Sequence, residues 1–251
     1  MLKFSFKKLV AMTLLAASSS AFAAEITVSA AASLTNAFKE IAENFEKQYP
    51  EHKVLLNFAG SGALLQQIAK GAPVDVFASA DQVTMDKAQE QGLLAEGSRQ
   101  DFVQNTVVVI TPQQSKLQLN GLSDLQQDAL QRLAISNPDS VPVGRYSKQA
   151  LVAHELWTVL ADKIINTQHV RQSLDYVARD EVDAGFVYAT DAALMADKVK
   201  VQFTVPLDST VSYPIAVTQE GSSKQLSQQF IDFTLGEESQ AVLSKYGFSK
   251  P

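Results

Sequence analysis

Short apolar runs, many of them β-branched, alternate with helical patterns through this chain in two successive series, and that alternation admits few folds. The first series opens with a strand at Ile26 to Ala30. Leu34, Ala37, Phe38, Ile41 and Phe45 then recur at helical spacing. A strand at Val54 to Phe58 and a short helix carrying Leu64, Leu65 and Ile68 follow, stopped by Gly71 and Pro73. A strand at Val74 to Ala78 leads to Asp81, which reads as the N-cap of a helix ending near Gly92. Thr106 to Ile110 is a strongly apolar strand ended by Pro112. The second series has a short helix capped by Ser123 and a strand at Leu133 to Ile135. A helix from Val143 or Gly144 towards His154 and another marked by Val170, Leu174 and Val177 come next. Strands at Ala184 to Tyr188, Val199 to Phe203 and Tyr213 to Val217 precede two last helices over 223–235 and 237–246.

Such alternation argues for an α/β fold of mainly parallel sheets flanked by helices. Two series predict two lobes. No flexible linker separates them, so ordered strands should cross between them, at Thr106–Ile110 and Tyr213–Val217. Lobe 1 is then 24–105 plus 213–251, and lobe 2 is 106–212.

Residues 1–23 read as a cleavable signal peptide. Lys3, Lys7 and Lys8 give a positive start, Leu9 to Ala17 a short apolar run, and Ala21-Phe22-Ala23 a cleavage site. The run is shorter than the ~20 apolar residues needed to span a bilayer. The expected product is soluble and periplasmic. The chain has no Cys, so packing alone must stabilise it. Its net charge is −6; removing three leader lysines leaves 18 basic against 27 acidic residues, or −9. An acidic surface argues against nucleic acid and anionic membranes as partners.

In open α/β sheets, ligands bind beyond the carboxyl ends of strands, at helix N-termini. Four such junctions here are rich in hydroxyls or small residues: 31–38, 58–68, 137–151 and 167–177. Ser33 and Ser61 sit at the first two. Each reads either as an N-cap, worth ~1 kcal/mol, or as a ligand group. Several helix N-termini aimed at one point would hold an anion without a cationic side chain. Enzymatic readings find no support: GxSxG, HExxH, CxxC, Walker A and GxGxxG motifs are all missing from the sequence. No nucleotide cofactor is expected. His52, His154 and His169 read as isolated surface or helix-face residues. Asp75 and Asp81 read either as a carboxylate pair or as a turn residue and a cap. Arg145 and Arg171 read as solvated charges, with anion steering as the alternative.

The ordered pieces AASLTNAF (31–38), FAGSGALLQQI (58–68), GAPVDVFASAD (71–81), NPDSVPVGRYSKQAL (137–151), the segment from His169 through GFVYATDA (185–192), YPIAV (213–217) and SKYGF (244–248) span the chain after its leader. In these pieces the sequence closely resembles the periplasmic molybdate-binding proteins that feed an ABC transporter. The resemblance implies a two-lobed type II periplasmic binding fold with the oxyanion in the inter-lobe cleft. It implies hydroxyl and backbone N–H donors from Ser33 and Ser61, backbone N–H donors from Val143 and Val170, and the phenol of Tyr188. It also implies a monomer that is not an enzyme, has no cofactor, carries molybdate or tungstate and delivers it to a membrane permease. Another oxyanion such as sulfate is the alternative cargo. Val143 stands where some relatives have Ala, and GSG at 60–62 replaces a serine-richer run. A cage of donors suits a fully deprotonated dianion and disfavours phosphate, whose proton needs an acceptor; Asp139 and Asp191 lie off the matched positions.

Overall fold

Two five-stranded sheets carry the fold, described over residues 24–251 in a computed structural model; the signal peptide expected at 1–23 lies outside the described residues. The first sheet holds β1 (Ala24–Ala31), β2 (His52–Ala59), β3 (Val76–Ala78), β4 (Gln100–Asn105) and β10 (Val211–Val217), in the order β2-β1-β3-β10-β4. The second holds β5 (Val107–Pro112), β6 (Leu133–Ser136), β7 (Ile164–Thr167), β8 (Ala184–Tyr188) and β9 (Val199–Thr204), in the order β7-β6-β8-β5-β9. In each sheet four strands share a direction and one runs against them: β10 in the first, β5 in the second.

Among the described residues, eight helices cover the sheets: α1 (Thr35–Gln48), α2 (Ser61–Ala69), α3 (Gln82–Glu90), α4 (Pro142–Ala153), α5 (Val170–Ala178), α6 (Ala189–Leu194), α7 (Lys224–Leu235) and α8 (Glu237–Lys245). β5 and β8 are buried along their whole length, as continuous apolar runs demand when both faces of a sheet are covered. In the first lobe, α1 and α7 meet through Phe45 and Phe230, with ring centroids 5.3 Å apart, and Phe38 packs on Phe102 of β4 at 5.8 Å. Such aromatic pairs contribute ~0.5–1.5 kcal/mol each beyond area burial. The Phe45–Phe230 pair fixes α7 to the first lobe.

The chain leaves the first sheet at Asn105 and enters the second at Val107, with only Thr106 between. It returns between β9 and β10, which begins at Val211 rather than Tyr213. Ser123 lies inside a 3-10 turn (Leu122–Gln126) whose first cap position is Gly121, so it does not cap that turn.

Candidate functional site

The carboxyl ends of β1 and β2 lead into a 3-10 turn (Ala32–Leu34) and into α2. Ser33 is buried in that turn, and Ser61 is the first residue of α2. Neither is a cap: the cap positions are Ala31, Leu34 and Gly60, and none makes a side-chain cap bond. Their hydroxyls are engaged otherwise. The Ser61 hydroxyl oxygen accepts the N–H of Ala80 at 3.1 Å, so its own proton is free to point elsewhere. Ser33 Oγ lies 3.0 Å from Tyr213 Oη. Thr106 N–H donates to Asn105 Oδ1 at 2.9 Å, which fixes that amide. Its Nδ2 then donates to Tyr213 Oη at 3.2 Å. Either hydroxyl can be the donor in the Ser33–Tyr213 contact, so the pair can turn one proton towards a ligand from either oxygen.

The opposing wall comes from the second lobe. α4 starts with Val141 as its cap and Pro142 first, an arrangement that suits a helix start because Pro lacks an N–H. Val143 follows, in the first turn, where N–H groups have no intrahelical acceptor. α5 starts at Val170, capped by His169, whose Nδ1 accepts the N–H of Gln172 at 3.2 Å. Burial pulls the His169 pKa below its usual range, which keeps that nitrogen an acceptor. His169 is therefore a helix cap at the site and not an isolated surface residue. Behind it, Ser136, Thr167 and Ser173 form a buried ring of hydroxyls at 2.6–3.2 Å that ties β6 and β7 to α5.

A small cavity lies between these walls. Ser33, Ser61 and Ala80 line it from the first lobe, and Val141, Pro142, His169 and Val170 from the second. Three of the five expected site residues, Ser33, Ser61 and Val170, thus meet at one place. Val143 and Tyr188 are not among the lining residues. The Val143 side chain is fully buried, next to Val141 and Pro142, which do reach the cavity. The Tyr188 hydroxyl crosses to the first lobe, 3.5 Å from the carbonyl of Ala80. Its ring packs on Tyr213 at 5.8 Å. Burial raises the pKa of both phenols, so both remain protonated donors. The two lobes touch directly at α2, where the Gly62 N–H donates to the Ser140 carbonyl at 2.9 Å.

The charges near this site differ from their expected roles. Arg145 and Arg171 are not solvated: their side chains are 16% and 20% exposed, and each is paired with a carboxylate more buried still. Arg145 Nε donates to Asp81 at 2.8 Å, and Arg171 Nε donates to Asp191 at 2.5 Å. Asp81 also caps α3, accepting the Thr84 N–H at 3.1 Å. Asp75 forms no pair with it. Its carboxylate accepts from Thr27 N–H at 2.7 Å and from Ser222 N–H at 2.6 Å, holding β1 to the segment before α7.

Full burial pushes the Asp191 carboxyl up to about 6, against the pull of Arg171. The folded state therefore holds this proton more tightly than the unfolded chain. The resulting stability is fully present below the unfolded pKa and is lost as pH rises through about 6. The wild-type advantage in stability over Asp191→Asn should shrink between about pH 4 and about pH 7, by on the order of 3 kcal/mol at most. Urea denaturation at both pH values measures it, and an advantage that grows with pH would reverse the assignment.

Residues 26–249 match the family model described as bacterial extracellular solute-binding protein. The molybdate-binding protein ModA of Escherichia coli (strain K12) is 38% identical over 232 residues, covering 90% of this chain and 89% of that protein. A putative ABC transporter substrate-binding lipoprotein of Bacillus subtilis (strain 168), YvgL, is 34% identical, with 89% and 86% covered. The solved periplasmic molybdate-binding protein of Azotobacter vinelandii superposes with a TM-score of 0.79 at 26% identity, over 90% of this chain and 99% of that one.

Proposed function

The chain belongs to the bacterial extracellular solute-binding protein family, and from that premise we propose that it captures molybdate between its lobes and delivers it to the membrane permease of an ABC importer. The relatives named as molybdate-binding proteins, matched over nearly their whole length, support that cargo. The observation that carries the reading in this chain is the pair of buried serines. Neither caps a helix; the Ser61 oxygen accepts the Ala80 N–H and leaves its proton for a ligand, and Ser33 Oγ lies beside the cavity in a hydroxyl pair with Tyr213. A site of this kind offers donors to a ligand that offers only acceptors.

In this reading Ser33 and Ser61 donate from lobe 1 (24–105 plus 213–251). Val143 and Val170 donate backbone N–H groups, and Tyr188 its phenol, from lobe 2 (106–212). Tungstate has the same charge and nearly the same size and is taken equally well. Sulfate is smaller, so donors held at a fixed radius leave its hydrogen bonds long. Phosphate brings a proton with no acceptor to receive it. The protein acts as a monomer in the periplasm, with no cofactor, no turnover and no nucleic acid partner. The net −9 of the chain without its leader is consistent with the last point.

Titration calorimetry on the dialysed mature protein tests the reading. Molybdate and tungstate should each bind tightly, one to one, with sulfate and phosphate weak. Ser33→Ala and Ser61→Ala should each weaken molybdate binding by roughly 10- to 100-fold, the scale of a hydrogen bond to a charged group. Heat with sulfate alone would change the cargo, and silence with all four anions would remove the reading.

A further inference from the structure

Two arginines of the second lobe each grip the first lobe next to a candidate anion donor. Arg145 lies two residues after Val143 in α4. Its Nη1 is anchored in its own lobe on the Pro138 carbonyl at 3.2 Å. Its other nitrogens reach across to α3, donating to Asp81 Oδ2 at 2.8 Å and Thr84 Oγ1 at 2.6 Å. Asp81 directly follows Ala80, the residue whose N–H the Ser61 hydroxyl holds. Arg171 directly follows Val170 in α5. Its Nε is anchored in its own lobe on Asp191. Its Nη1 donates to Asn36 Oδ1 at 2.8 Å, and its Nη2 donates to the Ser33 carbonyl at 3.1 Å, both in the first lobe. Each guanidinium therefore links a second-lobe donor position to a first-lobe one.

A guanidinium is planar and presents its donors in a fixed fork. When acceptors from both lobes engage the fork at normal distances, it holds them at a fixed separation. Two such forks, reaching two different segments of the first lobe, constrain both spacing and tilt. Neutral donors on flexible walls would contract onto a smaller anion; walls held by the forks would not.

We propose that Arg145 and Arg171 are positioning residues that fix the width of the closed cleft and so set the size selectivity of the site, holding the two half-cages at the radius of the larger tetrahedral dianion. This rests on the oxyanion-receptor reading above. The arginines do not touch the anion; they act through the donors beside them.

The test compares molybdate and sulfate affinities, by calorimetry, in the wild type and in Arg145→Met, Arg171→Met, Asp81→Asn and Asn36→Ala. Asp81→Asn keeps a cap acceptor for α3 and removes the charge. Asn36→Ala leaves the Arg171–Asp191 pair intact and removes a crossing contact. Molybdate affinity should fall by about 10- to 100-fold in the arginine variants, through faster dissociation, as for other hydrogen-bonded charge pairs. Sulfate affinity should fall less or rise, so that the molybdate-to-sulfate ratio narrows by about tenfold. Asp81→Asn and Asn36→Ala should narrow it in the same direction, and they decide the matter if an arginine variant fails to fold. An unchanged ratio in all variants that fold, whatever their absolute affinities, would show that the arginines only stabilise the fold and would overturn the proposal. Lack of molybdate binding by the wild type would instead remove the receptor reading on which it stands.

Discussion

Gly62→Ala will cost the protein its tight hold on the anion while leaving both lobes folded. Gly62 is the second residue of α2, and its N–H donates across the cleft to the Ser140 carbonyl. A Cβ at Gly62 would stand 2.6 Å from that oxygen and 2.9 Å from Ser140 Cα. Both are backbone atoms and cannot swing aside. They belong to the opposite lobe, however, so the strain is relieved by holding the cleft ajar. Within its own helix the alanine is welcome, being up to ~1 kcal/mol better than glycine in a helix interior. The cost therefore falls on closure, about 1–3 kcal/mol for overpacking, or roughly 10- to 100-fold in affinity. Calorimetry should show that loss, melting of the unliganded protein should show no drop in Tm, and scattering should show less compaction on adding molybdate. Wild-type affinity in the variant would mean that the lobes do not need this approach to hold the ligand.

Gly144→Ala makes the same chemical change with the opposite consequence. Here the added Cβ would lie 2.0 Å from the Ser136 carbonyl oxygen and 2.7 Å from its carbon. Ser136 ends β6, in the same lobe as α4, so no hinge can open to relieve the clash. α4 must lift from the sheet. The expected loss is about 3 kcal/mol or more, the upper end of overpacking costs, and a fall in Tm of roughly 5–10 °C for a chain of this size. Val143 precedes this glycine, so anion affinity should fall as well. Calorimetric melting of the unliganded protein measures the main effect, and an unchanged Tm would show that α4 can shift without cost.

The difference between these glycines was not legible in the sequence, where both stand near helix starts. What was legible followed from strong local signals. β5 and β8 are unbroken apolar runs, and α1 shows its apolar positions at helical spacing. β4 and β7 escaped because they are edge strands with mixed burial: in QDFVQN only Phe102 and Val103 are buried, and in IINT only Thr167. α6, six residues directly after a strand, is too short to display a period. At the site, the junction chemistry pointed to Ser33 and Ser61, and the family resemblance to Val170, but the groups that orient them lie far away in the chain. Tyr213 stands 180 residues from Ser33, and Asp81 stands 64 from Arg145. A charge near a helix start reads as solvated until the fold supplies its partner. The one available signal for Tyr213 was a phenol in an otherwise apolar strand, which needs a hydrogen-bond partner when buried.

The place of β10 bears on how the chain reaches this structure. It lies between β3 and β4 in the first sheet, although residues 107–204 with the whole second sheet come before it in the chain. Until β10 is delivered, β4 has no neighbouring strand within that sheet, and α7 and α8, which close the aromatic core over α1, are not yet present. The second lobe is one uninterrupted stretch and can organise from its own contacts. The first must wait for its far end, and closing so long a loop carries an entropic cost that nearby pairings avoid. Assembly therefore has a direction: the inserted lobe matures early, and the lobe that holds Ser33 and Ser61 is completed last, by the final strand and helices of the chain.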